Sequence, residues 1–336
     1  MPPSDVSVSA DFSCKEEDPE DIFSTSLNTL YDYVPITQSD AGTTFNYIYA
    51  EAVPENLSSE EVKGSHINTI QLKLSTPDTL ARNWELHASS IWTSAVFLAD
   101  HISELRIEEF FSPEMQNGTH IVEILELGAG AGLPGLLLSK YLERLRNGKN
   151  DWSVTLSDYP DDLLIENLRE NVHQNMVADA VMNRSNITEP VPRVYVTPYA
   201  WGSATDVFLT SGERGFDIIL AADTLWNSSL HDIFVQTLGR LLRRTKSARA
   251  HLVAGLHTGR HAISRFLQIV SETRSEPERA QDTGSRLLTL RVLQIMEMEV
   301  ETGRKRKWKV DREGEDYGDR RRWLAWIVLA WDGFLM

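Results

Sequence analysis

Cysteine is almost missing from this chain: Cys14 is the one cysteine in 336 residues. No internal disulfide can form, which fits a reducing compartment. Also missing is any run of 18 uncharged apolar residues, so no membrane-spanning helix is expected. The N-terminal stretch MPPSDVSVSADFSCKEEDPEDIF has no apolar core segment. A secretory signal is therefore not expected, and the N-x-S/T triplets at Asn117 and Asn227 read as chance. Positive charge is short as well. Lys and Arg number 33 against 49 Asp and Glu, a formal net charge of −16. That sign disfavours nonspecific nucleic-acid binding. It permits a basic protein partner, although most surface charge only keeps a protein in solution. What remains is ordinary globular composition, 41% hydrophobic and 24% charged, enough for a sizeable core. The chain is expected to be a cytoplasmic monomer that binds neither nucleic acid nor membrane.

The chain divides into an acidic tail over 1–25, read as disordered, an N-terminal extension over 26–83 and one α/β domain over 84–336. In the extension, Ile67–Leu74 alternates as a strand does. Ser89–Ile102 has apolar residues at helical spacing behind Ser and Thr, and predicts an amphipathic helix. Strands and helices then alternate. Strands are predicted over 121–127, 153–156, 194–197, 216–222 and 251–256. Helices are predicted over 133–145, 161–175, 230–242 and 262–270, the second opening on two aspartates that suit a helix N-terminus. Such alternation implies a parallel sheet. Two late apolar segments, 287–300 and 323–331, have no helix between them and imply an antiparallel pair at the end. The mixed-charge stretch between them, 301–322, reads as a solvated hairpin loop or as a contact surface for a macromolecular substrate.

Chemistry concentrates at a glycine turn. Leu125-Glu-Leu-Gly-Ala-Gly-Ala-Gly-Leu-Pro-Gly135 follows a strand and opens a helix. Glycine lets the backbone approach a ligand closely, and the helix start offers free N–H groups. That suits a nucleoside-type cofactor at the carboxyl ends of the strands. The spacing Gly128-x-Gly130-x-Gly132 with Leu133 departs from the dinucleotide pattern G-x-G-x-x-G. No Lys-Ser/Thr pair follows, so a phosphate-binding P-loop is excluded too. One strand on, Asp158 can accept hydrogen bonds from both hydroxyls of a ribose, or can cap the next helix. His257 and His261 have a spacing that a metal site can use, but no third ligand is evident.

As a set, Glu126–Gly135, Ser157-Asp-Tyr-Pro160 and Leu164-Ile-Glu-Asn-Leu168 resemble the seven-β-strand methyltransferases. They are most similar to the fungal branch named nicotinamide N-methyltransferase-like. That branch includes enzymes that methylate the N-terminus and a nearby lysine of translation elongation factor 1A. The resemblance covers roughly residues 80 to 332. It implies a Rossmann-like α/β fold: a seven-stranded, mostly parallel sheet with an antiparallel terminal hairpin and helices on both faces. It implies S-adenosyl-L-methionine as cofactor. Gly128, Ala129 and Gly130 match the turn under the cofactor's amino-acid part, and Asp158 the ribose-binding acid. Trp92 matches a tryptophan lining the cofactor pocket, Trp201 the one beside the adenine, and Ala222 an alanine at the cofactor. Asp223 matches an acid beside the substrate, where it would orient an amine.

Each of these has a plainer alternative: Trp92 and Trp201 as packing anchors, Asp223 as a cap. Three departures from the family pattern bear on the substrate. Trp84 has no counterpart, and the loops over 175–193 and 203–215 are long where specificity is usually set. Three readings follow. The first is a protein methyltransferase acting on a lysine or N-terminal amine, with elongation factor 1A as a candidate. The second is a small-molecule enzyme acting on nicotinamide or a related amine. The third is a noncatalytic scaffold.

Overall fold

The computed structural model describes residues 36–50, 69–77, 87–112, 120–147, 149–177, 193–208, 215–272 and 288–333, all within the unit formed by residues 35–336. The acidic tail, Trp84 and the middles of the two long loops lie outside the described residues.

The apolar runs become the centre of one sheet. β3 (Val122–Leu127) pairs in parallel with β4 (Trp152–Asp158) on one side and β6 (Ile218–Ala222) on the other. β5 (Val194–Pro198) extends the first side and β7 (Arg249–Gly255) the second. The late segments form β8 (Thr289–Glu299) and β10 (Trp323–Asp332), with β10 inserted antiparallel between β7 and β8. The spatial order is β5-β4-β3-β6-β7-β10-β8-β9. The expected seven strands are therefore present, and the short β9 (Lys305–Lys307) adds an eighth at the edge.

Strand alternation sends neighbouring side chains to opposite faces. Ile124 and Leu156 join one core with α1 (Thr93–Asp100) and α2 (Leu133–Arg146); Leu125 and Ile219 join another. Leu168 of α3 (Asp162–Val172) belongs to the first core. The second is built on Phe234 of α4 (His231–Leu241) and Phe266 of α5 (Arg260–Glu272). Both phenylalanines are fully buried, each stabilising by about 1.5–3 kcal/mol.

A hairpin of β1 (Thr44–Ala50) and β2 (Thr69–Ser75) packs its inward face, including Tyr47, Ile70 and Leu72, into the first core. The outer edge of β2 is closed by side chains. Asn171 accepts from Ser75 N and donates to Ser75 O, and Asn175 does the same with Lys73. Asn171 also donates to Ala131 O in the glycine turn at 3.0 Å. Asn175 sits in a π-turn, His173–Val177, that continues α3.

Two expectations change. The helix predicted from Ser89 begins only at Thr93, because residues 91–93 are claimed by another pairing. Gln38 N donates to Ile91 O, Thr93 N donates to Ile36 O, and Trp92 is extended at φ −82°, ψ 147°. The stretch 301–322 is more than a solvated loop. It holds β9 and α6 (Tyr317–Arg321), and it is fastened to β8 by Glu297, which is 0% exposed. Arg260, Arg306 and Arg312 all donate to that carboxylate. Burial pushes Glu297 up, and these guanidiniums more than reverse it, holding the group at about 2.

Candidate active site

The crossovers reverse direction between β3 and β6, and in such sheets ligands bind at the carboxyl ends beside that point. A cavity of about 680 Å³ lies there. Trp92, Gly128, Ala129, Gly130, Asp158, Trp201, Ala222 and Asp223 all line it.

Gly130 has a φ of +54°, in the left-handed region, and a Cβ added to it would meet nothing within 4 Å. Its N–H donates to Asp158 Oδ2 at 2.6 Å, while Tyr159 N donates to Oδ1, also at 2.6 Å. Asp158 thus braces the turn from the end of β4. The helix-capping alternative fails, because Asp161 caps α3 by accepting from Leu164 N. Each Asp158 oxygen keeps a second lone pair for a ligand hydroxyl. Gly132 serves packing: a Cβ there would come within 2.8 Å of Leu168 and 3.1 Å of Leu156.

Trp201 lines the cavity and is also anchored, its ring 4.5 Å from Phe234. The next residue's N–H is tied to Thr237 Oγ1 at 2.9 Å. Trp92 likewise has both roles. Its indole N–H donates to His87 O at 2.8 Å, and its ring lies 5.4 Å from that of His257, 15° from parallel. His87 stands edge-on to Trp92 and to Trp226, at 5.9 and 4.6 Å.

Asp223 is one of the few non-glycine residues here with a left-handed backbone, at φ +53°. Aspartate tolerates that region better than most. Its N–H donates to Val253 O at 2.8 Å, and Gly255 N donates to its Oδ1 at 3.1 Å. These bonds tie Asp223 to the adjacent strand at the wall of the cavity. The capping alternative fails here as well, since the next turn is capped by Asn227.

The electrostatics favour a cation. Among the described residues the lining carries three carboxyls, Glu126, Asp158 and Asp223, and no lysine or arginine. Burial pushes all three upward. Glu126 reaches about 8, raised further by Asp158 and lowered by the bond from Gly135 N. For Asp223, His257 and His87 oppose the burial. A bound cation relieves such strain by favouring the charged forms. The hydroxyl of Thr224 is buried at the cavity without a partner among the described residues. An open glycine cradle, an orphan hydroxyl and a carboxyl-lined aromatic cavity all fit a cationic methyl donor.

Sequence reading missed Glu126, Thr224, His87 and His257 as parts of this neighbourhood. Glu126 carried a signal, a carboxyl inside a buried strand just ahead of a glycine turn. His257 and His261 do not converge: His257 faces Asp223, while His261 is exposed near Asp311. No cluster of metal-ligating side chains exists among the described residues. Nor, among them, is any helix long and apolar enough to cross a membrane.

The protein N-terminal and lysine N-methyltransferase efm7 of Emericella nidulans is 28% identical over 50% of this chain and 58% of its own length. Its namesakes from Cryptococcus neoformans and Eremothecium gossypii are 26% and 30% identical, over 66% and 50% of this chain. The match spans 61% and 54% of those two relatives, so the chain covers somewhat over half the length of each. A family model described as lysine methyltransferase matches residues 80–273, and by that match, over more than half its length, the chain belongs to the lysine methyltransferase family.

Proposed function

We propose that this protein transfers a methyl group from S-adenosyl-L-methionine to a protein amine, either a lysine side chain or an N-terminal amine, with translation elongation factor 1A as substrate. One observation carries the reading: a cavity lined, among the described residues, by three carboxyls and by tryptophans, with no basic side chain except His87. Both reactants in such a transfer are cations, and both acids and aromatic faces attract cations. The names of the relatives support an amine on a protein over a small molecule. So does the cavity mouth, where Tyr159, Leu230 and Ile233 are exposed large side chains available to a bulky substrate.

The donor supplies an electrophilic methyl group on a sulfonium. Gly128, Ala129 and Gly130 would hold its amino-acid part and Asp158 its ribose, with Trp92, Trp201 and Ala222 closing around it. Asp223 would hold the incoming amine in the cavity that Trp92 and Trp226 also line. Positioning of this kind can lower a barrier by about 7–11 kcal/mol. With elongation factor 1A as substrate, the protein would act in the cytoplasm as a monomer.

The test incubates the purified chain with methyl-labelled donor and elongation factor 1A, and in parallel with nicotinamide. Label on the protein alone is the expected result. Label on nicotinamide alone would transfer the reading to a small-molecule enzyme. Label on neither, with no donor binding by calorimetry, would mean a scaffold.

A further inference from the structure

Asp223 faces two ways. The residue lines the main cavity and also a second, separate pocket of about 10 Å³. His257 lines that second pocket and not the first. Its Nε2 lies 4.0 Å from Asp223 Oδ2, while Gly255 N holds Oδ1. The imidazole is fixed in place by stacking on Trp92. It also depends on glycine at 255, where a Cβ would run into His257 Nδ1. Ser94 lines the same pocket, and its buried hydroxyl has no partner among the described residues. The charged and titratable groups around the ring are Asp223 from the end of β6, His87 beyond it, and Arg321 from α6.

An amine cannot attack while it holds its proton, and a lysine ammonium loses it only near pH 10.4 or so in water. The proton must leave by a route that does not cross the positively charged donor. Resting on the function proposed above, we propose that Asp223 and His257 form a proton relay that carries this proton out of the substrate cavity into the small pocket behind it. The ammonium gives one proton to the Asp223 carboxylate and becomes a neutral amine. The proton passes to His257 Nε2, which restores the carboxylate and leaves an imidazolium. The freed lone pair forms the new N–C bond while the donor's C–S bond breaks, its electron pair staying on sulfur. The imidazolium then releases its proton to solvent through the small pocket, whose partly exposed lining includes Ile36 and Arg321. The 4.0 Å gap lies just beyond hydrogen-bond reach, and such contacts tighten when substrate binds. His257 touches neither substrate nor donor, so its role is positioning and proton transfer through Asp223.

The test uses the full chain and a peptide with the N-terminal sequence of elongation factor 1A, in two forms. One offers only the free α-amine, with the nearby lysine acetylated. The other offers only that lysine, with the α-amine acetylated. An α-amine loses its proton near pH 8, about two pH units or more below lysine, and so needs the relay less. At about pH 7.5, His257→Gln should lose about 100-fold in kcat on the lysine form and far less on the α-amine form. The lysine defect should shrink as pH rises toward about 10, with donor affinity unchanged throughout. His257→Phe, which keeps a ring against Trp92, should behave like His257→Gln. Equal losses on both peptides at every pH, or full activity of His257→Phe, would overturn the relay and leave His257 as a packing partner of Trp92. A wild-type chain that methylates neither peptide would overturn the functional reading itself, and the relay with it.

Discussion

The backbone N–H of Gly130 donates to Asp158 Oδ2 at 2.6 Å, so the glycine turn after β3 and the acid at the end of β4 are one unit before any ligand arrives. Asp158→Asn would turn an amide N–H against either Gly130 N or Tyr159 N. A hydrogen bond to a charged group contributes about 1.5–3 kcal/mol, so donor affinity should fall about 10-fold or more. Calorimetric titration with S-adenosyl-L-methionine checks this. Unchanged affinity would remove Asp158 from the site.

Glu126 gives a pH signature. Its folded value, pushed to about 8 by burial, lies above the 4.5 of a free carboxyl. The folded state therefore holds a proton that the unfolded state has lost. Stability from this group is full below 4.5 and falls as pH rises through 8, at about 1.4 kcal/mol per pH unit. Denaturant melts between pH 6.5 and 8 should show a slope that Glu126→Gln flattens. Because a cation favours the ionised form, donor binding near pH 7 should release a proton, seen as heats that differ between buffers.

His251 gives the opposite slope. It is buried between β6 and β10, where burial, with Arg249, pushes it down to about 3. The unfolded chain takes up a proton near pH 6.5 that the folded chain refuses. Stability is thus lost as pH falls from 6.5 toward 3. His251→Gln should abolish that acid slope while still offering an acceptor to Trp326. Melts that keep the slope would assign it to other groups.

Glu297 predicts the largest loss of stability. Replacing it with Gln leaves Arg260, Arg306 and Arg312 converging on a buried neutral group. Removing one partner of a buried ion pair costs about 3–5 kcal/mol. Urea unfolding should report a loss of that order.

Gly255→Ala tests the back wall of the site. The added methyl would displace the His257 ring and disturb the bond from Gly255 N to Asp223. Overpacking of this kind costs about 1–3 kcal/mol. Turnover should fall more steeply than thermal stability, and a variant with wild-type turnover would show that the ring's position does not matter.

The elements that set the fold were readable because their signals are local. Buried strands announced themselves as apolar runs, as in 121–127, and α2 by helical spacing behind the glycine turn. The glycine turn, Asp158 and Asp223 were readable for a similar reason, each sitting at the carboxyl end of a strand. What was not readable depends on partners distant in sequence. β1 alternates Phe45, Tyr47 and Tyr49 inward with Ile48 outward, 63% exposed, so hydrophobicity alone gives no period. The late start of α1 depends on residues 36–38. His257 meets Asp223 only because β6 and β7 are neighbours in a register that no single segment encodes.

The asparagines of α3 and its π-turn rest on a numerical coincidence. Four residues of helix rise about 6.0 Å, and two residues of strand about 6.6 Å, so amides four apart on the helix meet alternate peptides of β2 almost in step. Each amide imitates the peptide group of an absent neighbouring strand. The mismatch grows with every rung, which limits such a ladder to a few rungs. A one-residue slip of β2 would break every rung together. Because Asn171 also holds Ala131, that slip would be felt at once in the glycine turn. The hairpin is thus a vernier for the glycine turn: its register, fixed outside the cavity, sets where that turn can sit.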